Sequence, residues 1–158
     1  MLCSNNSRRA TGARKRSQLG NAVLEFALGW SVLWALFAGL YQFGYSFYVY
    51  NRLQTAVADA AELGAKMTYD TANPSAFSTA LQNMVLYGDE TAGTTPLVPG
   101  LTTNNVNVSV TLDAQSMPRD VTVSITGYTI SAIFQSFTPT NKPRVSTKYY
   151  GTITCSTC

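Results

Sequence analysis

From Phe26 to Val49 the chain runs for 24 residues without a charged side chain. A bilayer's hydrocarbon core takes about 20 helical residues, whereas about 10 to 14 would fit a buried helix or a signal h-region. The run therefore predicts a helix that crosses a bilayer, with the membrane segment at about 24–49. It is too long for an ordinary cleaved signal peptide, and no A-x-A site follows it. Beyond it, Tyr50, Leu53, Val57, Ala60, Gly64 and Met67 recur at alternating spacings of three and four, the a/d seam of a packing helix. Asn51, Arg52, Gln54, Thr55, Asp59, Glu62 and Lys66 fill the other faces, and Glu62 precedes Lys66 by one turn, the favourable order for an ion pair. The predicted helix covers Asn21 to about Tyr69, roughly 70 Å at 1.5 Å per residue. Its second half needs a surface to dock on, either the chain's own globular part or neighbouring subunits.

The pattern then changes period. Asp70-Thr71-Ala72-Asn73-Pro74 is a stop and a restart, with Asn73 as helix cap and Pro74 at the first helical position. Phe77, Leu81, Met84 and Val85 share a face, and Gly88 suits the residue after the last turn, so a short helix is predicted over 74–87. Residues 88–104, rich in Gly, Pro and Thr, read as a loop. Val106, Val108, Val110 and Leu112 alternate with polar residues, as do Val121, Val123 and Ile125, and a third alternating run covers roughly Val145 to Ile153. Asp113 to Asp120 connect the first two runs, with Pro118 in the turn. Alternation with a period of two predicts antiparallel strands with one buried and one wet face. Ile130 to Phe137 fits a short helix or a crossing loop. The fold class is α+β: a long N-terminal hydrophobic helix whose seam packs on a small antiparallel β-sheet. The expected division is a basic head over 1–20, the long helix over 21–70, and an outer α+β domain over 71–158.

The 158 residues suit one domain of ordinary size. Only 12% are charged, about half of the usual ~25% for a soluble domain, which points to a membrane or a dense assembly. There is no histidine, which excludes Ser-His-Asp and Cys-His catalysis and every His-dependent metal site. Residues 1–20 hold five cations (Arg8, Arg9, Arg14, Lys15, Arg16) and no acid, while the rest holds six basic and eight acidic residues. A basic head can bind nucleic acid. Placed directly before an apolar run it reads instead as a topology signal, with the head cytoplasmic, the C-terminal part outside, and no nucleic-acid partner.

Glu25 stands at the threshold of the apolar run. A carboxylate costs about 2.5–3.5 kcal/mol at the centre of a membrane helix and less near its end, and it is normally paired with a cation. Two readings fit: a paired functional acid, or an acid that snorkels to the interface or sits in a first turn where the dipole favours it. Ala27, Ser31, Ala35 and Gly39 form a small-residue stripe that lets another helix approach closely. Tyr41, Phe43, Tyr45, Phe47, Tyr48 and Tyr50 fit an interfacial aromatic belt, or aromatic stacking within a polymer. Cys3 lies in the head with no apolar segment before it, so it makes no lipobox. Cys155 and Cys158 form a CxxC that lacks the partner pair of a zinc site and the βαβ context of a redox motif; a small-loop disulfide is preferred over free thiols. Asp89-Glu90 and Lys142-Pro143-Arg144 read as solvated loop charge. No phosphate-binding glycine loop follows a strand. The inventory argues against an enzyme and calls for no metal or cofactor.

Gly20-Asn21-Ala22-Val23-Leu24-Glu25-Phe26 resembles a type IV prepilin cleavage site: a basic leader ending in glycine, then an apolar helix with glutamate as its fifth residue. Over residues 16–67 the chain is similar to the TadE-like family, pilin-like proteins of tight-adherence (Tad/Flp) pilus systems. Glu25-Phe26-Ala27, Gln42-Phe43-Gly44 and the small-residue run Ala56 to Ala65 carry the match, with Tyr45 standing where many members have a basic residue. The resemblance implies a pilin-like fold and a structural or assembly subunit, a pseudopilin or minor pilin. It implies cleavage by a prepilin peptidase between Gly20 and Asn21, and assembly through Glu25 and Phe26, the glutamate neutralising the new α-amino group of a neighbour. Its partners would be the inner membrane, the peptidase, other pilin subunits and the pilus assembly machinery. The alternative is a single-pass anchored binding module outside the cytoplasm that does not polymerise.

Overall fold

The computed structural model describes residues 11–154, with side chains from Gly20 onward. Cys3, Cys155, Cys158 and the side chains of the basic head lie outside the described residues. Helix α1 runs over Thr11–Lys66. It begins ten residues before the expected start at Asn21. The reason is local: Ala13, Arg14, Lys15, Arg16, Gln18 and Leu19 are strong helix formers and no proline interrupts them. The chain divides into two compact units, one up to Phe43 and one from Gly44 onward.

In the first unit, from Phe26 to Phe43, α1 carries apolar residues on every face. Val23, Phe26, Trp30, Val32, Trp34, Leu36 and Leu40 are all exposed. A helix that is hydrophobic all round belongs in a core or in a bilayer, and among the described residues none of its most apolar window is buried.

In the second unit α1 ends on its seam. Leu53, Val57, Ala60 and Ala61 are buried, and Gly64 with them. Helix α2, Pro74–Tyr87, closes over this seam with Phe77, Leu81 and Val85. Its ends are built as the sequence predicts: the Asn73 side chain accepts from the Ala76 N–H at 3.3 Å, and Gly88 takes φ +77° while its N–H donates to the Met84 carbonyl at 2.9 Å.

The main sheet has the order β2–β3–β6, with β2 over Val106–Leu112, β3 over Pro118–Ile125 and β6 over Arg144–Lys148, all antiparallel. Val108 faces Val123, and Val123 faces Val145, so the apolar rows align across the sheet. Pro118 opens β3 instead of sitting in the turn; a first strand position needs no N–H from it. The turn is tied by the Asp113 carboxylate, which accepts from the N–H groups of Gln115 (2.9 Å) and Met117 (2.8 Å). The expected wet face of β3 is covered: Thr122 and Ser124 are buried, and the Thr122 hydroxyl donates to Ser146 at 2.9 Å.

Two small pieces differ from the sequence reading. Ile130 to Phe137 is neither helix nor plain loop but a minimal hairpin, with β4 (Ile130–Ser131) antiparallel to β5 (Ser136–Phe137). The third alternating run stops at Lys148. Its continuation crosses the end of α1, and β7 (Ile153–Thr154) pairs in parallel with β1 (Tyr69–Asp70).

This crossing supplies donors to the last turns of α1, where a helix end leaves carbonyls open. The Ala61 carbonyl accepts from the Thr147 hydroxyl at 2.9 Å, and the Ala65 carbonyl from the Tyr150 N–H at 3.0 Å. A Cβ on Gly151 would lie 2.5 Å from the Met67 carbonyl oxygen and 2.9 Å from that of Lys66. Both are backbone atoms that cannot step aside. Gly151→Ala is expected to lower stability by about 1–3 kcal/mol, the usual cost of overpacking, read as a fall in the urea midpoint of the detergent-solubilised protein with unchanged slope.

The Tyr149 hydroxyl bridges the same junction. It accepts from the Tyr69 N–H at 3.0 Å and lies 2.9 Å and 2.6 Å from the carbonyls of Met67 and Thr152. Burial raises its pKa above the usual tyrosine value, against a smaller lowering by the Tyr69 N–H. The folded state thus keeps a proton that the unfolded chain releases near pH 10. Its contribution is whole below that pH and is lost as the pH rises beyond it. Tyr149→Phe is expected to cost about 1 kcal/mol at neutral pH and to flatten the alkaline fall in stability, measured by unfolding between pH 8 and 11.

Candidate functional site

The candidate site begins at Gly20 on α1. Gly20, Asn21, Glu25 and Phe26 are all exposed. Gly20 is helical, and a Cβ built on it meets nothing within 4 Å. The fold therefore does not require glycine at this position. An interior glycine weakens a helix by about 1 kcal/mol relative to alanine, so α1 is locally weakened here.

Glu25 lies one turn further on. Among the described residues no cation lies within ion-pair distance of its carboxylate. Phe26 stacks on Trp30, with ring centroids 6.2 Å apart and planes inclined by 20°. The acid is thus set on an apolar, exposed face without a partner cation from the described residues of its own chain.

Ala27, Ser31, Ala35 and Gly39 fall on one face because α1 is unbroken across them. Ala27, Ser31 and Ala35 are exposed and Gly39 is half-buried. The Ser31 hydroxyl donates to the Leu28 carbonyl at 2.8 Å. Its polar group is thereby satisfied inside the helix, as a lipid environment demands. No described side chain comes near enough to Gly29 or Gly39 to meet a Cβ.

Towards the other end of the run, Phe43, Phe47 and Tyr48 are exposed, while Tyr45 and Tyr50 pack partly against the core. The Arg52 guanidinium, the first cation after the run, lies 6.0 Å from the centroid of the Tyr48 ring. This places a cation–π contact at the expected boundary of water and lipid.

The remaining charged candidates are surface structure. Glu62 and Lys66 pair across one turn on the exposed side of α1; Lys66 lowers the pKa of Glu62, and Glu62 raises that of Lys66. The Asp89 carboxylate accepts from the N–H and hydroxyl of Thr91 at 2.8 and 2.7 Å, which holds its pKa below the usual range. That is an Asx turn in an exposed loop. Lys142 and Arg144 are exposed around a buried Pro143. Among the described residues no group of three or more Cys, Asp or Glu side chains is placed to hold a metal ion.

Two features escaped the sequence reading. A cavity of about 420 Å³ opens between Tyr45 and Val49 of α1 and the segment Gly127–Ser131. The Tyr128 hydroxyl beside it donates to the Pro99 carbonyl at 2.9 Å, and its pKa is raised by burial and, less, by the Tyr45 phenol. The second feature is the exposed apolar tip of the β4–β5 hairpin. The sequence signal for both was the uncharged stretch from Val121 to Asn141.

α1 includes a segment long and apolar enough to cross a membrane, and none of its most apolar window is buried. That exposure separates it from the core helix of a soluble protein and fits membrane anchoring. Neither the curated proteins nor the solved structures contain a significant match to the chain. The family model of TadE-like proteins matches residues 20–62. The match opens on Gly20 and takes in Glu25, Phe26 and the whole small-residue stripe, so the similarity to TadE-like proteins lies in the helix that carries the candidate site.

Proposed function

We propose that this chain is a pilin-like structural or assembly subunit of a Tad-type pilus. It is held in the inner membrane by α1, with the basic head cytoplasmic and the α+β part outside. A prepilin peptidase cuts after Gly20, removing the head and freeing the α-amino group of Asn21. Glu25 of one subunit then pairs with that amine on a neighbour, while Phe26 and the Ala27–Gly39 stripe pack helix against helix.

One observation carries this reading: a TadE-like match that begins at Gly20 and includes an exposed carboxylate at the start of an apolar, exposed stretch of α1. Such an acid has a use where a cation is brought to it. Cleavage supplies one at the right depth, since Asn21 and Glu25 are four residues apart, about one helical turn.

The test is the intact mass of the full-length protein extracted from membranes of cells with and without the peptidase. The expected species begins at Asn21 in the first case and keeps residues 1–20 in the second. A precursor left whole in peptidase-positive cells would reduce the protein to an anchored binding module.

A further inference from the structure

We propose that the β4–β5 hairpin dips its tip into the outer surface of the membrane in which α1 is anchored. This rests on the membrane-spanning part of the reading above, and not on cleavage or polymerisation.

The hairpin tip is chemically out of place in water. Tight two-residue turns favour Asn, Asp and Gly. Here the turn residues are Ile133 and Phe134, which are 70% and 65% exposed, and Phe137 beside them is 58% exposed. The hairpin is nonetheless well held. Ile130 is buried, Ala132 N–H donates to the Gln135 carbonyl at 3.3 Å, and the hydroxyls of Thr129 and Thr138 bond across its base at 2.8 Å. A hairpin pinned at its base with exposed apolar residues at its bend has the form of a wedge.

Its position selects lipid as the occupant. The base, Thr129 to Ser131, lines the same cavity as Tyr45 and Val49, the last turns of the uncharged run. From there a tip three residues away reaches roughly 10 Å at about 3.3 Å per residue. The polar interfacial layer of a bilayer is about 5–8 Å deep on each side, so a hairpin of that length turned towards the bilayer enters it. The charge agrees. After Asp120 the chain has no acidic residue, while Lys142, Arg144 and Lys148 follow the hairpin. Apolar residues flanked by cations suit an anionic lipid surface.

The experiment places single fluorescent labels on the full-length protein, with Cys3, Cys155 and Cys158 replaced by serine. The labels go on Ile133→Cys, Val32→Cys and Ser109→Cys, in vesicles of phosphatidylethanolamine and phosphatidylglycerol containing lipid-borne quenchers. The Val32 label reports the span and the Ser109 label reports water. The expected result is at least twofold stronger quenching of the Ile133 label by a shallow lipid quencher than by aqueous iodide, at one protein per vesicle. Ile133 open to iodide with Val32 still quenched by lipid would overturn the hairpin's insertion alone. Shielding of Ile133 that vanishes at one protein per vesicle would assign the tip to a second copy and overturn the proposal. A Val32 label open to iodide would overturn the span, and the proposal with it.

Discussion

Gly20→Ala is expected to leave a stable, membrane-inserted precursor that the prepilin peptidase barely cuts. Two effects of one methyl group pull apart here. In the folded chain it is harmless or better, because a Cβ at Gly20 meets nothing within 4 Å and alanine favours the helix. In a protease's binding cleft the same methyl takes the place of a hydrogen beside the bond to be broken. Overpacking of about 1–3 kcal/mol there slows cutting about 5- to 150-fold. Alanine also stiffens α1 across the Gly20–Asn21 bond, which on the proposed reading resists its presentation to the peptidase. The measurement is the ratio of precursor to mature chain by intact mass, alongside the thermal stability of both proteins. A rise or no change in stability together with a large loss of mature chain is the expected pair. Normal processing would remove Gly20 from its assigned role.

The fold was legible wherever one local signal decided it. Asn73, Pro74 and Gly88 fix both ends of α2 by capping chemistry that needs no tertiary partner. The seam Leu53, Val57, Ala60 and Gly64 was readable because its period is that of a helix, and burial follows it. Legibility failed where packing overrode pattern. Thr122 and Ser124 alternate with valines and look solvent-facing, yet β3 is the central strand and they are covered. Ile130–Phe137 has no turn residues at its bend, so the hairpin is held by Ile130 in the core and by Thr129–Thr138 rather than by turn chemistry. The parallel pairing of Ile153–Thr154 with Tyr69–Asp70 joins residues more than 80 positions apart and is too short to leave any periodicity. At the candidate site the stripe and the acid could be read from spacing alone. The absence of a covering core could not, because the same apolar run would serve a buried helix equally well.

Glu25→Ala is expected to give a protein that inserts, is processed, and stays out of the pilus. Insertion should improve slightly, since a carboxylate near the end of a membrane helix carries part of the cost of about 2.5–3.5 kcal/mol found at its centre. Assembly is where the acid matters. Among the described residues of the uncut chain it has no partner cation, and on the proposed reading the amine freed at Asn21 of a neighbouring subunit supplies one. A hydrogen bond between charged groups is worth about 1.5–3 kcal/mol, or about 10- to 150-fold in each subunit contact. In a polymer every added subunit feels that loss, so even the lower figure suppresses incorporation strongly. Glu25→Gln separates charge from shape: it keeps the length and a carbonyl acceptor but cannot neutralise an amine. Quantifying the mature chain in sheared pili against that in membranes should place Glu25→Gln close to Glu25→Ala, and Glu25→Asp between them and the native chain. If Glu25→Gln assembled like the native protein, the carboxylate would be a helix-end feature favoured by the dipole and not the contact that recruits the next subunit.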